Sequence, residues 1–300
     1  MTSCAPKILV TGADGQLGRA LQALPPGPFH TISATHAQLD ITQEHALDRW
    51  LDEHPADCVI NAAAYTAVDR AAQEPDTAFA VNADAPGTLA RACAQRGLRF
   101  LHLSTDYVFD GQLDRPYRED DATAPLNTYG RSKLLGEQAA LAENPATIIV
   151  RTSWVFSDRA PNFACTVLRL ARQRPALQVV ADQIGGPTWA GHLAQALMSL
   201  ALQPAGQIPA GLYHFSGYPC ASRHAFAQEI CRQAQVCGYL ASIPPLEAIA
   251  SSQWPSPEPR PANSCLDTHK LESLLGPLER DWRKGLKAML SSLQNGRQAR

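Results

Sequence analysis

Three glycines, Gly12, Gly15 and Gly18, follow the apolar run Lys7–Thr11 at three-residue intervals and open a segment of helical periodicity that stops at Pro25-Pro26. Few patterns restrict a backbone more. Glycine enters left-handed turns without steric cost and lets another backbone or a phosphate come close. A strand that turns this sharply into a helix leaves amide N–H groups and the positive end of a helix dipole aimed at one spot. After the first strand of a βαβ unit, that spot takes the pyrophosphate of a dinucleotide. A Gly-rich turn can also exist with no ligand at all, so its surroundings decide.

The surroundings alternate strand and helix. Strand patterns fall at residues 30–34, 57–61, 99–104 and 147–152. Helical patterns fall at residues 43–54, at residues 75–96 (ending at Gly97) and around Tyr129. Short apolar strands separated by helices of this length predict an α/β fold with a doubly wound parallel sheet, of the Rossmann kind, covered on both faces. The second half loses the alternation. Helices fit residues 162–172, 189–201, 222–235 and 281–293, with a strand at residues 211–215. The proline-rich run Trp254-Pro255-Ser256-Pro257-Glu258-Pro259-Arg260-Pro261 must be irregular, because each proline fixes φ and removes a donor. The expected organisation is a dinucleotide-binding domain over residues 1–160 and a smaller C-terminal substrate-binding lobe over residues 161–300, with some segments returning to the first domain.

Composition removes other classes. A formal charge of −2, with both signs spread along the chain, gives no nucleic-acid footprint and no polybasic membrane patch. No apolar run reaches the length that spans a bilayer, and the N-terminus lacks the pattern of a signal peptide, so the expectation is cytoplasmic. Eight cysteines (Cys4, Cys58, Cys93, Cys165, Cys220, Cys231, Cys237 and Cys265) are scattered without a Cys-x-x-Cys pair. They are expected to be small buried apolar groups rather than disulfides or metal ligands.

Tyr129 and Lys133 are the chemically suggestive pair. Of seven tyrosines only Tyr129 has a lysine four places on, which puts both on one helix face. A phenol ordinarily titrates near pH 10, and an adjacent ammonium favours its anion. Such a pair can hand a proton to a carbonyl oxygen while hydride reaches the carbon. Thr105, in the polar cluster Ser104-Thr105-Asp106 after the fourth strand, offers a hydroxyl to the same oxygen. Lys133 can also hold the nicotinamide ribose. At the end of the third strand, Ala63, Ala64, Tyr65 and Thr66 lie where open parallel sheets bind ligands. At the end of the second strand, Ser33–Ala37 contains neither acid nor arginine, so NADPH and NADH are not told apart. Asp40 fits either a place near the adenine or a cap on the next helix.

These residues resemble the extended, sugar-nucleotide-modifying branch of the short-chain dehydrogenase/reductases. Longer blocks are similar to its dTDP-4-dehydrorhamnose reductase family: residues 61–69, Ser104-Thr105-Asp106-Tyr107-Val108-Phe109-Asp110-Gly111, residues 125–133, residues 151–156, residues 182–188, Gly211-Leu212-Tyr213-His214 and residues 260–267. The resemblance runs through essentially the whole chain in order. It implies reduction of a 4-keto nucleotide sugar by NADPH or NADH, with Tyr129 as proton donor, Lys133 as its partner and ribose ligand, and Thr105 as third member. It implies Gly15, Gln16, Leu17, Asp40, Ile41, Ala64, Tyr65 and Thr66 along the cofactor, and Trp154 on the substrate beside Thr105, Asp106 and Tyr129. Some relatives dimerise around magnesium held by acidic side chains. Here the matching position is Gly191, and the last helix, over residues 282–293, has no carboxylate. The expectation is therefore a monomer or a weak metal-free homodimer. Two other readings stay open: a reductase or epimerase of another 4-keto-6-deoxy nucleotide sugar, and a non-catalytic NADP-binding regulatory subunit.

Overall fold

The computed structural model of the chain describes residues 5–159, 161–204 and 206–298. Cys4 lies outside them. In the first half, β1 (Lys7–Thr11) leads through the glycine turn into α1 (Gln16–Gln22), and β2 (His30–Ala34) leads into α2 (Glu44–Glu53). Next, β3 (Cys58–Asn61) is followed by α3 (Val68–Ala71), α4 (Pro75–Phe79) and α5 (Ala85–Gln95). The series closes with β4 (Arg99–Thr105), α6 (Thr128–Glu143) and β5 (Ile148–Thr152). Each strand runs within a residue or two of its apolar pattern. The helix expected over residues 75–96 differs. Between α4 and α5, Ala80–Asp84 widen into one π-turn, a device often found beside functional sites.

The second half holds β6 (Val155–Phe156), α7 (Phe163–Gln173), β7 (Leu177–Val180), β8 (Ile184–Gly185), β9 (Thr188–Trp189) and α8 (Ala190–Ala201). It continues with β10 (Gly211–His214), β11 (Ala221–Ser222), α9 (Arg223–Val236), β12 (Leu246–Ile249), β13 (Asn263–Ser264), α10 (His269–Leu275) and α11 (Trp282–Gln298). α7, α8, α9 and α11 match their periodic segments, α11 running further than the expected end at residue 293, while α10 was not foreseen. The strands other than β10 were not foreseen. They are two to four residues long, too short to show a period, and pair among themselves in small sheets. The proline-rich run is irregular, as expected.

The main sheet has the order β10-β5-β4-β3-β1-β2 and is parallel throughout. Its strands are covered on both faces, so Ile8, Leu9 and Val10 are all fully buried and the run is continuous rather than alternating. On one face Ile8 and Val10 pack with Leu17, Leu21, Leu193 and Leu197 from α1 and α8. On the other, Leu9 and Val59 pack with Leu47 of α2 and Leu89 of α5. A separate cluster, including Phe156, Leu168, Phe226, Ile230, Trp282 and Leu286, holds α7, α9 and α11 together. Burying each such side chain stabilises by about 1.5–3 kcal/mol, against about 0–1 for an exposed ion pair such as Arg115–Asp121. The chain therefore has two apolar centres, and α8 and β10 return to the first.

The strand order reverses beside β1, because the chain goes outward to β2 and then crosses back to β3. Open α/β sheets bind ligands in the crevice above this point, beyond the carboxyl ends of the strands. Thr11 and Asn61 are register partners there. One expectation about cysteines is corrected: Cys220 and Cys265 are joined in a disulfide, with Cα atoms 6.1 Å apart. They come from separate loops, a pairing that spacing along the chain does not reveal. Cys58, Cys93, Cys165, Cys231 and Cys237 are free. Among the described residues no helix is long and apolar enough to cross a membrane, and no group of three or more acidic, His or Cys side chains could hold a metal ion.

Candidate active site

The glycine turn fits a dinucleotide. Gly12 has φ +65°, and a Cβ on it would stand 2.7 Å from the Ala63 Cα. A Cβ on Gly18 would collide with the Gly12 carbonyl oxygen. Gly15 is exposed and would meet only that carbonyl, at 3.2 Å, so its outer side is open to a ligand. The first turn of α1 has no side-chain cap and no acidic residue, which leaves its N–H groups to an anion without a competing charge. Gln16 Oε1 accepts from Ser157 Oγ and Asn162 Nδ2, both at 2.9 Å, which ties the turn to the start of α7. The side chain of Leu17 is in the core, so only its backbone remains for a phosphate. Asp40 accepts from the Thr42 N–H and hydroxyl at 3.0 and 2.7 Å; it caps that turn rather than α2, whose first residue has no side-chain cap. Ile41 is buried in the core beneath.

Across the crevice, Ala63 and Ala64 are half-buried at the end of β3, and Thr66 is exposed. Tyr65 is held on three sides. Its hydroxyl donates to Glu74 at 2.6 Å, its N–H donates to Asn82 Oδ1 at 2.9 Å, and its carbonyl accepts from Asn82 Nδ2 at 2.9 Å. Asn82 is on the π-turn and also donates to Ser132 Oγ on α6 at 3.1 Å.

The reactive set forms where β4 ends and α6 begins. Asn127 caps α6 by accepting from the Gly130 N–H at 2.8 Å, and so fixes the turn that carries Tyr129. Thr105 and Asp106 are buried and the Thr105 hydroxyl donates to Asp106 Oδ1 at 3.1 Å, while Asp106 Oδ2 has no hydrogen-bond partner among the described residues. Burial pushes the Asp106 carboxyl up to about 6, against the hydroxyls of Ser264 and Thr105 and the charge of Arg223. Tyr129 packs edge-on against Tyr107, with ring centroids 5.4 Å apart.

One expectation about this set is overturned. Burial raises the Tyr129 phenol well above its ordinary value; a hydrogen bond with Thr105 lowers it in part, and the nearby Asp106 and Tyr107 raise it further. Lys133 is not among the groups behind that shift. The lysine lies on the same helix face, but its four-carbon stem carries Nζ to the Leu103 carbonyl, at 2.6 Å, and to His102 Nε2, at 3.4 Å.

Trp154, just after β5, has φ +46°, and the guanidinium of Arg223 lies 3.5 Å from its ring centroid. That guanidinium has no hydrogen bond or ion pair among the described residues, and burial pulls it down to about 10. The proline-rich run crosses above α6. Arg260 donates to both oxygens of Asp69 at 2.8 Å and to the Tyr107 hydroxyl at 2.9 Å, and the Pro259 carbonyl accepts from Asn127 Nδ2 at 2.8 Å. Sequence reasoning passed over His102, Asn82 and Arg223. The only signal for the first two was a polar residue inside an otherwise apolar strand or alanine-rich helix.

Residues 6–295 match the family described as RmlD substrate binding domain. A dTDP-4-dehydrorhamnose reductase from Aggregatibacter actinomycetemcomitans is 41% identical over 285 residues, 94% of this chain and 97% of that protein. The crystal structure of a dTDP-4-dehydrorhamnose reductase from Clostridium acetobutylicum superposes with a TM-score of 0.88 at 35% identity, over 96% of this chain and 99% of that one. That of the Bacillus anthracis enzyme, in complex with NADP, superposes with a TM-score of 0.87 at 32% identity, over the same shares of 96% and 99%. With residues 6–295 matched by the family and 94% of its length aligned to a relative at 41% identity, the chain belongs to the dTDP-4-dehydrorhamnose reductase family.

Proposed function

We propose that this chain reduces the C4 keto group of dTDP-4-dehydro-β-L-rhamnose with NADPH or NADH, giving dTDP-L-rhamnose, and does so in the cytoplasm, where nucleotide sugars and reduced nicotinamide meet. The observation that carries the reading is the meeting of Thr105, Asp106 and Tyr129 at the α6–β4 junction, beside a glycine turn shaped for a dinucleotide. The reduced nicotinamide, when bound, supplies the hydride. Tyr129 supplies the proton: its raised pKa keeps the phenol protonated at neutral pH, ready to give its hydrogen to the C4 oxygen. The Thr105 hydroxyl polarises that oxygen. Lys133, whose charge persists up to about pH 8, holds the nicotinamide ribose and favours the tyrosinate left behind.

Gly12, Gly15, Gln16, Leu17, Gly18, Asp40, Ile41 and Ala63 to Thr66 make the cofactor's side of the crevice. Trp154 and Asp106 make the sugar's side, under the lobe built on the second apolar cluster. With glycine at position 191 and no carboxylate in residues 282–293, the chain works as a monomer or a weak metal-free homodimer. The test is to mix purified protein with NADPH and enzymatically made dTDP-4-dehydrorhamnose and follow nicotinamide absorbance, with NADH in a parallel run. Oxidation no faster than background would sink the reading. Tyr129→Phe is expected to lose about a hundredfold or more in kcat, the usual contribution of a positioned general acid. Near-native turnover by that variant would mean another group gives the proton.

A further inference from the structure

His102 lies within β4 with its ring fully buried, and the reaction described above does not use it. Its Nδ1 is 3.1 Å from the Asn61 side-chain nitrogen, and its Nε2 is 3.4 Å from Lys133 Nζ. Asn61 determines where the imidazole hydrogen sits. The Ala63 backbone N–H donates to Asn61 Oδ1 at 3.2 Å, and the Thr11 hydroxyl donates to that same oxygen at 2.7 Å. A backbone N–H cannot accept, so the amide oxygen must face Ala63 and the NH2 must face His102. Nδ1 is therefore the bare acceptor. Burial, with the charge of Lys133, keeps the ring neutral, and a neutral imidazole in this setting carries its hydrogen on Nε2.

That hydrogen points at Lys133. The lysine Nζ already donates to the Leu103 carbonyl at 2.6 Å, and on another side it meets the His102 N–H. An N–H dipole directed at an ammonium disfavours the charge, whereas an uncharged amine can accept from it. Burial brings Lys133 down to about 8, against the pull of the Glu137 carboxylate. Glu137 is itself bonded to Arg151 of β5 at 2.8 and 2.7 Å. The other ionisable groups on these elements are Tyr129, Arg131 and Glu143 on α6, Arg99 at the start of β4, and Asp106 and Tyr107 in the turn after it.

We propose that His102 is a positioning residue: its Nε2–H, fixed by Asn61, sets the pH at which Lys133 loses its charge and so the alkaline limit of turnover. This rests on the reductase reading of the site. Once Tyr129 has given up its proton, an ammonium one helical turn away favours the tyrosinate and an amine does not, so turnover falls as Lys133 deprotonates.

Asn61→Asp tests the arrangement. A carboxylate at position 61 still accepts from Thr11 and Ala63 but has no N–H to offer, so its second oxygen draws the imidazole hydrogen to Nδ1. Nε2 then becomes an acceptor for the ammonium. The alkaline limb of the kcat–pH profile is expected to move up by about one unit or more. Imidazole 15N NMR is expected to show the Nε2–H form in the wild type on both sides of neutrality, and the Nδ1–H form in the variant. The proposal is overturned by an Nδ1–H tautomer in the wild type. It is equally overturned by an alkaline limb that stays in place in a folded variant whose tautomer has switched. Should the variant not fold, the imidazole 15N spectrum of the wild type decides: the Nε2–H form supports the proposal and the Nδ1–H form overturns it. The NMR readouts need no substrate, so they are separable from failure of the reductase assay.

Discussion

Trp154 occupies a left-handed backbone conformation, at φ +46°, which costs a bulky residue about 1–3 kcal/mol and persists only where its surroundings over-determine it. Two neighbours do so. The Arg223 guanidinium stacks on one side of the indole, and Gly185 backs it so closely that a Cβ there would stand 2.5 Å from the indole Cε2. Gly185→Ala therefore has to push the ring out of place. We expect KM for the sugar nucleotide to rise about tenfold, equivalent to about 1.4 kcal/mol and within the usual range for overpacking. The NADPH Kd from calorimetry is expected to stay unchanged, because the nearest atoms a Cβ on Gly185 would meet all belong to the indole. An unchanged KM would mean that the indole does not meet the sugar. Sequence alone placed Trp154 only through a family likeness. Its strain, and the arginine that stacks on it, arise between segments distant in the chain and carry no local pattern.

The π-turn at Ala80–Asp84 works as an element rather than through any one side chain. An extra residue in the turn changes the phase of the rod, and Asn82 becomes buried between the Tyr65 loop and α6. One side chain then satisfies both the N–H and the carbonyl of Tyr65. Asn82→Leu keeps the volume and removes those partners. We expect a loss of about 1–3 kcal/mol of unfolding free energy in urea, the cost of leaving buried backbone groups unpaired. We also expect weaker NADPH binding, because the loop along the cofactor is released. Stability lost with cofactor affinity intact would place the cofactor elsewhere. The elements that were legible carry one unbroken pattern: a continuous apolar run in β1, helical periodicity in α7 and α8. The π-turn was not legible, since a one-residue insertion leaves an alanine-rich helix looking the same. The Tyr129–Lys133 spacing correctly gave a shared face but not the direction of a four-carbon side chain, and the lysine contacts His102 instead.

For the whole molecule, acid stability reports on the groups that folding forces to stay neutral. Burial lowers His214 to about 3, with Arg151 acting in the same direction, and lowers His102 well below its ordinary 6.5. As pH falls below 6.5, the unfolded chain takes up protons at both sites that the folded chain refuses, so these two residues withdraw stability on acidification. Asp106 works the other way. With its carboxyl raised to about 6 from an ordinary 3.8, the folded chain binds a proton in that window that the unfolded chain releases. Glu119, also raised by burial, adds to this opposition, while Asp121, held down to about 2 by Arg115, does not yet titrate. Urea unfolding of the wild type is therefore expected to show stability falling between pH 6 and 5, with the fall softened by the buried carboxyls. Asp106→Asn keeps the shape and removes one opposing proton. Its stability is expected to fall more steeply over the same interval, by about a further 1.4 kcal/mol per pH unit, the free energy of one proton of difference. Parallel curves for the two proteins would show that Asp106 is ionised in the folded chain throughout, and with it that the partnerless oxygen beside Thr105 carries a full charge when the sugar arrives.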